Sequence, residues 1–296
     1  MSETAAVMRA ARPNFLILAP LCAGSGVALA WQQGTPPALL DTLLVLIGAL
    51  LAHAAVNLLN EYEDFVSGLD LITCRTPFSG GSGALPEVPA AARRVLLAAL
   101  GTLGLVVAIG VYFLWLRGLP MLVLGAAGVA LVLTYTRWIT RSPIVCLLAP
   151  GLGFGPVMIL GSLIALGARI DVTGLTVSLI SLLLTSELLL INQIPDAEAD
   201  RQVGRRHLVI TLGQPAAGRL VGVLLSGSYG VLGAAILADW LPLWTAIALA
   251  PTPAALWISL KLPAAVADPR QLNTLLGLNV AVLLATLALL ICGLSL

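Results

Sequence analysis

The chain has 296 residues, 59% of them hydrophobic and only 10% charged, and carries a net charge of +1. A soluble domain of ordinary composition has about 25% charged residues, so most of this surface does not face water, and the charge balance gives no basis for nucleic-acid binding. Four cysteines scattered singly (Cys22, Cys74, Cys146, Cys292) lack metal or redox spacing and read as small buried hydrophobes.

The apolar residues come in long runs. A spanning helix needs about 20 of them. Nine stretches qualify, at roughly 14–31, 39–60, 94–116, 120–136, 144–168, 174–194, 218–238, 241–261 and 272–294. Arg9 and Arg12 before the first run resemble the start of a secretory signal. The run reads instead as an uncleaved first span, because the later spans need it to keep the topology paired. Pro251 and Pro253 interrupt the eighth, a kink that neighbouring helices can absorb. With the N-terminus in the cytoplasm, all of the 15 Lys and Arg residues except Arg117 and Arg169 fall on the cytoplasmic side. That distribution obeys the positive-inside rule. The fold class is therefore all-α: a polytopic bundle of about nine transmembrane helices, in a single unit spanning 1–296. The long polar loops follow spans two and six, on the cytoplasmic face of a cell inner membrane, and function is expected there.

Half of the chain's 14 acidic residues sit in those two places: Glu61, Glu63, Asp64 and Asp70, then Asp196, Glu198 and Asp200. Carboxylates at a membrane edge are costly unless they meet cations or line a wet cavity. The two stretches also resemble each other. Asn60 precedes Asp64 as Asn192 precedes Asp196, and Asp70 precedes Arg75 as Asp200 precedes Arg205. Four spans separate them, so spans 1–4 and 5–8 look like an internal pseudo-repeat, with Gly68 marking a two-residue insertion. Helical spacing puts Asn57, Asn60, Glu61 and Asp64 on one face, with His53 deeper on the same side.

Hard oxygen ligands of this kind suit Mg²⁺, which takes one or two carboxylates plus substrate phosphates. A metal bridging a diphosphate stabilises the charge that develops as its C–O bond breaks. Arg75, Arg205 and Arg206 can add charge-assisted hydrogen bonds to phosphate, and the apolar bundle can hold a polyisoprenoid tail. Expected metal ligands are Asn60, Glu61, Asp64, Asp70, Asn192, Asp196 and Asp200. Glu63 and Glu198 read as solvated helix ends, His53 as a satisfied buried histidine and His207 as a loop residue. Glu187, inside span six with no visible partner, is a functional suspect. The series Gly151, Gly153, Gly155 and Gly161 reads as close helix packing. The glycine-rich run 75–83 reads as a mobile cap whose amides can approach phosphate, or as a linker.

Asn57-x2-Asn60-Glu61-x2-Asp64-x3-Gly68-x-Asp70 resembles the first Asp-rich motif of the UbiA superfamily of intramembrane prenyltransferases. Asn192-x3-Asp196-x3-Asp200, with Gly204-Arg205-Arg206-His207-Leu208 and Leu212-Gly213, resembles the second. Gly68-x-Asp70 and the segment Phe154–Gly161 are most similar to the branch that prenylates 1,4-dihydroxy-2-naphthoate for menaquinone. The resemblance implies a helical bundle with cytoplasmic caps. It also implies Mg²⁺-dependent ionisation of a polyprenyl diphosphate and attack on the allylic cation by an aromatic acceptor. On it, Asp64, Asp196, Asn60 and Asn192 are the catalytic set. Tyr135, Arg137 and Arg141 lie where relatives place a Tyr and a basic residue near the diphosphate. The usual Lys is missing, so Arg137 or Arg141 has to serve, and Glu61 stands where Asp is commoner. Another acceptor (4-hydroxybenzoate, a tetrapyrrole precursor or a glycerol-phosphate lipid) and a cation-coupled transporter are the rival readings.

Overall fold

The computed structural model describes residues 1–34 and 36–296, and all regular structure among them is helical. A short amphipathic helix, α1 (Glu3–Ala10), is capped by the Ser2 hydroxyl, which accepts from the Ala5 amide. It leads through a turn at Pro13–Phe15 into α2 (Leu18–Gln32). There follow α3 (Leu39–Val66), the short α4 (Leu69–Ile72) and α5 (Ala84–Glu87), α6 (Ala92–Arg117) and α7 (Leu119–Thr134). The second half runs α8 (Pro143–Leu152), a π-helical stretch at Gly153–Leu160, α9 (Gly161–Ala165), α10 (Val172–Asn192), α11 (Ala197–Gln202) and α12 (Leu208–Leu212). It ends with α13 (Gln214–Leu237), α14 (Thr252–Ala265) and α15 (Pro269–Ser295).

Seven helical units are long and apolar enough to cross a bilayer. Of the nine expected spans, the other two fall short alone. Leu18–Gln32 passes only together with Glu3–Phe15, from which it bends by 50°, and Leu119–Thr134 is short. The eighth span changes register where its prolines lie: a 3-10 stretch over Leu243–Leu249, then α14 with Pro251 as its N-cap and Pro253 in its first turn. A proline there removes an amide that would lack a partner anyway. The π stretch contains Pro156, whose missing N–H the wider register tolerates.

The main core gathers α2, α10, α13, α14 and α15, with α10 the most deeply buried. Glycine sets the spacing where α8 and the π stretch cross α10. A Cβ on Gly151 would stand 2.2 Å from Ser186 Oγ, and one on Gly155 would stand 2.5 Å from the Ser178 carbonyl. Gly153 and Gly161 meet nothing within 4 Å, so only half of the expected glycine series serves packing. Two cysteine positions also depart from expectation. Cys22 and Cys146 are buried, whereas Cys74 and Cys292 are exposed. Glu187 finds its partner on α15, where Asn279 Nδ2 donates to both carboxylate oxygens at 3.1 Å.

The two ends of the bundle differ. At one, Arg117 donates to the Ala165 carbonyl at 2.8 Å, and Gln33 bridges the Arg169 backbone to Asp171. At the other, a small second core of five alanines with Leu58, Leu85 and Val95 packs α1 on α3 and α6, near the acidic end of α3. Arg117 and Arg169, the two exceptions to the charge rule, thus sit together away from the acidic clusters.

Candidate active site

Each acidic cluster is built by a helix that stops and turns. Helix α3 carries Asn60 and Asp64 to its last turns. Gly68 then adopts φ +80°, a conformation open to glycine at no steric cost, and redirects the chain so that α4 presents Asp70. Helix α10 ends at Asn192. Asp196 opens α11, which carries Asp200, and Gly204 (φ +80°) brings the chain back so that Arg205 faces the carboxylates.

Arg205 joins the clusters. Its Nη1 donates to Asp200 Oδ1 at 2.9 Å and its Nη2 pairs with Asp64 Oδ1, while His207 Nε2 lies 2.9 Å from Asp200 Oδ2. Burial alone would lower the Arg205 pKa, but Asp64 and Asp200 overrule it and hold it raised. The segment 73–83 lies across both clusters. The Thr76 hydroxyl accepts from the Phe78 and Ser79 amides and tightens its turn. From there the Gly80 amide donates to Asp196 Oδ2 at 3.0 Å, and Ser82 N donates to Glu61 Oε2 at 2.9 Å. Ser82 Oγ and the Ala84 amide both reach Glu61 Oε1. Thus the glycine-segment amides expected at phosphate are met here by carboxylates.

Among the described residues, three buried oxygens of the two acidic motifs have no partner: Asp70 Oδ2, Asp196 Oδ1 and Asn192 Oδ1. Buried polar atoms are nearly always satisfied, so these mark a place for a cation or a polar ligand. Burial pushes Asp70 up to about 7, helped by the charges of Glu61 and Asp64. Burial likewise pushes Asp196 up to about 7, helped by Asp200. Among the described residues no three carboxylate, His or Cys side chains converge on one metal position. Mg²⁺ takes one or two carboxylates and completes its shell from phosphate and water, a donor set that the open oxygens of Asp70, Asp196 and Asn192 fit.

A cavity of about 310 Å³ opens beside Asp64, lined also by Glu63, Thr136, Arg137, Arg141 and Arg205. Three guanidinium groups against two carboxylates leave the lining net positive, which suits an anion. Asn60 Nδ2 donates to Thr136 Oγ1 at 3.2 Å and holds the 135–141 loop in place. Tyr135 caps the end of α7, and its carbonyl accepts from the Thr140 amide at 3.1 Å. Arg75 donates to the Asp70 carbonyl at 3.2 Å and packs under Gly83, outside this cavity. Arg206 engages the Thr140 carbonyl through its amide, and its side chain is exposed.

A profile described as the UbiA prenyltransferase family matches residues 17–275. The chain belongs to that family. Among curated relatives it is similar to the 1,4-dihydroxy-2-naphthoate octaprenyltransferase of Bacillus subtilis (strain 168). Identity is 29% over 64% of this chain and 61% of that protein, so the match spans less than two thirds of that relative. The Escherichia coli (strain K12) protein of the same name is 32% identical over 77% of this chain and 75% of its own. The Mycobacterium leprae (strain TN) protein is 28% identical over 86% and 85%. Among solved structures, an apo UbiA homologue from Aeropyrum pernix K1 superposes with a TM-score of 0.70 at 19% identity, covering 94% of this chain and 98% of that one. A UbiA homologue from Archaeoglobus fulgidus bound to DMAPP and Mg²⁺ gives 0.64 at 14%, covering 96% and 98%. These likenesses show the fold of a UbiA membrane bundle.

Several UbiA-site residues differ from their sequence readings. His207 is buried on Asp200 rather than loose in a loop, and Glu63 lines the cavity rather than facing away. His53 is buried edge-on to Phe154 with Nδ1 unpartnered, so it is not a satisfied histidine. Glu198 is a solvated helix end, as expected, paired with Arg201. Arg12, read only as a topology charge, stands 3.6 Å from Glu61. Its spacing from Glu61 in the sequence carried no signal of this.

Proposed function

We propose that this protein transfers a polyprenyl group from a polyprenyl diphosphate to an aromatic acceptor, 1,4-dihydroxy-2-naphthoate, on the cytoplasmic face of the inner membrane. The observation that carries the reading is the meeting of two remote acidic helix ends on Arg205, with open oxygens left on Asp70, Asp196 and Asn192. A lone acidic cluster would not imply a diphosphate. Two clusters with three arginines at the mouth of an apolar bundle supply a headgroup clamp beside a place for the tail.

In this reading Asp64, Asp70, Asn192 and Asp196 hold Mg²⁺, with Asn60 and Asp200 fixing the surrounding chain. Bound Mg²⁺ neutralises charge on the leaving diphosphate. Arg137 and Arg141 bind phosphate oxygens from the cavity side, in the role of the absent Lys. Arg205 stands ready to exchange a carboxylate for a phosphate. The C–O bond then breaks with its electron pair leaving on the diphosphate, a ring carbon of the acceptor attacks the allylic cation, and the ring regains aromaticity by losing from that carbon the proton, or as CO2 the carboxylate, that it carries. The names of the curated relatives support the acceptor. The Mg²⁺ and DMAPP in the Archaeoglobus homologue support the donor chemistry. The placement of Lys and Arg supports the orientation, and the parallel motifs support an internal repeat of spans 1–4 and 5–8.

The test is mass spectrometry of products from purified protein given Mg²⁺, mixed prenyl diphosphates and a panel of acceptors. Prenylated naphthoate product, lost in Asp196→Asn, is the expected result. Product with 4-hydroxybenzoate, a tetrapyrrole or a glycerol-phosphate lipid alone would reassign the acceptor. Wild-type turnover by Asp196→Asn would overturn the site.

A further inference from the structure

Helices α10 and α15 are linked twice, once inside the bundle and once at its acidic end. Inside, Glu187 is fully buried, and among the described residues its one hydrogen-bond partner is Asn279, whose Nδ2 donates to both carboxylate oxygens at 3.1 Å. At the acidic end the glycine segment makes the link. A Cβ on Gly277 of α15 would stand 3.1 Å from Phe78 Cζ, so the Phe78 ring rests on that glycine. Two residues later the Gly80 amide donates to Asp196 Oδ2 at 3.0 Å, just past the end of α10. We propose that Glu187 is a positioning residue for the prenyl diphosphate: through Asn279 it holds the Phe78 seat on α15, and so the glycine segment over Asp196. This rests on the prenyl-transfer reading above and adds a residue to its donor site.

The energetics of Glu187 favour such a role over simple packing. A buried carboxyl group held by one neutral amide gains little to set against its lost hydration. A pair of apolar side chains would pack α10 on α15 without that cost. What the apolar pair lacks is direction. A hydrogen bond between two side chains fixes the register of one helix against another, whereas leucines tolerate a slip.

The spacing along both helices makes register matter at the site. Gly277 precedes Asn279 by two residues, about 3 Å along α15. Glu187 precedes Asn192 by five, about 7.5 Å along α10. A slip of α15 at Asn279 therefore moves the Phe78 seat with it, and Phe78 is two residues from the amide that meets Asp196. Neither Glu187 nor Asn279 lines the cavity at Asp64, so the pair acts on a bound diphosphate through the segment and not by touching it.

The experiment is steady-state kinetics of the full-length protein with the prenyl diphosphate varied, alongside thermal denaturation in detergent. Glu187→Leu should raise KM for the prenyl diphosphate about tenfold, the scale of losing an outer support of a binding group. The kcat and the acceptor KM should not change. Glu187→Gln should restore the wild-type KM: its oxygen accepts from Asn279 Nδ2, and its amide can donate to Asn279 Oδ1, which has no partner. Glu187→Leu/Asn279→Leu removes the bond without stranding a buried amide, so it should fold where Glu187→Leu alone does not, and it should show the same raised KM. Phe78→Ala should raise KM as well. Adding Glu187→Leu to it should raise KM no further, because both act on one seat. A pair that only holds the fold together would lower Tm and leave KM where it was, and that result would overturn the assignment. So would a KM increase that multiplies with that of Phe78→Ala, or one that Glu187→Gln does not reverse. Failure of wild type to transfer from any prenyl diphosphate would instead sink the prenyl-transfer reading, and this assignment with it.

Discussion

Asp64, at the end of α3, forms an ion pair with Arg205, 141 residues later, and the same guanidinium holds Asp200. Both acids and the arginine are largely buried. One side chain therefore carries the direct ionic link between the two acidic ends of the bundle. Two carboxylates left facing each other without it would repel in a poorly solvated site.

Removing one partner of a buried pair costs more than removing both. Arg205→Gln leaves Asp64 and Asp200 buried without a counter-charge and should destabilise the protein by about 3–5 kcal/mol. Asp64→Asn leaves Arg205 on Asp200 and should cost less, while lowering transfer at least about 100-fold through lost electrostatic stabilisation. Thermal denaturation in detergent of both single variants and Asp64→Asn/Arg205→Gln gives the coupling. The double variant should be more stable than the sum of the singles predicts. Simple additivity would mean the pair does not join the clusters.

Glycine positions near the site separate conformation from space. Gly81 and Gly204 both adopt positive φ, so alanine at either pays a backbone penalty of about 1–2 kcal/mol. A Cβ at Gly81 would also lie 2.6 Å from Asp70 Oδ1, whereas at Gly204 nothing lies within 4 Å. Gly81→Ala should therefore displace Asp70 and lower kcat at least about tenfold, the scale of losing support around a metal ligand. Gly204→Ala should lower Tm with kcat nearly intact. Equal kinetic effects would show that Asp70 is not positioned by this contact.

Much of this was legible in the sequence. Membrane-length runs, proline breaks and the lopsided arginines gave the bundle, because burial in lipid demands long apolar helices. The acidic motifs pointed to one end of it. Partnership across the fold was not legible. Glu187 gives no hint that Asn279, 92 residues on, will bond it, and Arg12 looks like any charge before a first span. Helical spacing also placed Glu61 with Asp64, yet its side chain turns to the glycine segment. Periodicity fixes which face a residue occupies but not which neighbour reaches it first. The expected span at 120–136 and the first span were drawn on hydropathy, which does not register that one helix is short and the other bent.

The pH response of the metal-free protein follows from Asp70 and Asp196. Each has an ordinary carboxylate value of 3.8 when unfolded and about 7 when folded, raised first by burial. The folded state thus binds more protons between those values. Stability from these groups is complete below about 4 and is lost as pH rises through about 7. Tm in a chelator should fall across that window, and more steeply for wild type than for Asp70→Asn/Asp196→Asn. Added Mg²⁺ should offset the loss above about pH 7, because it binds the deprotonated oxygens. A wild-type slope no different from that of the double variant would refute both assignments.

Glu61 offers the sharpest test of which acids serve the metal. Its Oε2 accepts from Ser82 N, and its Oε1 from Ser82 Oγ and Ala84 N. All of these are protein donors, so its role is to anchor the glycine segment over Asp196. Glutamine has one accepting oxygen and one NH₂ group, so either orientation sets N–H against a backbone N–H. Glu61→Gln should lower stability by about 1–3 kcal/mol for the unmet buried donor. It should also loosen the segment, raising KM for the prenyl diphosphate. The Mg²⁺ concentration for half-maximal rate should stay within about twofold of wild type. Loss of even an outer partner of a metal ligand costs about 10–100-fold in metal affinity. A rise of that size in Glu61→Gln would return Glu61 to the metal's own shell and overturn the anchoring role.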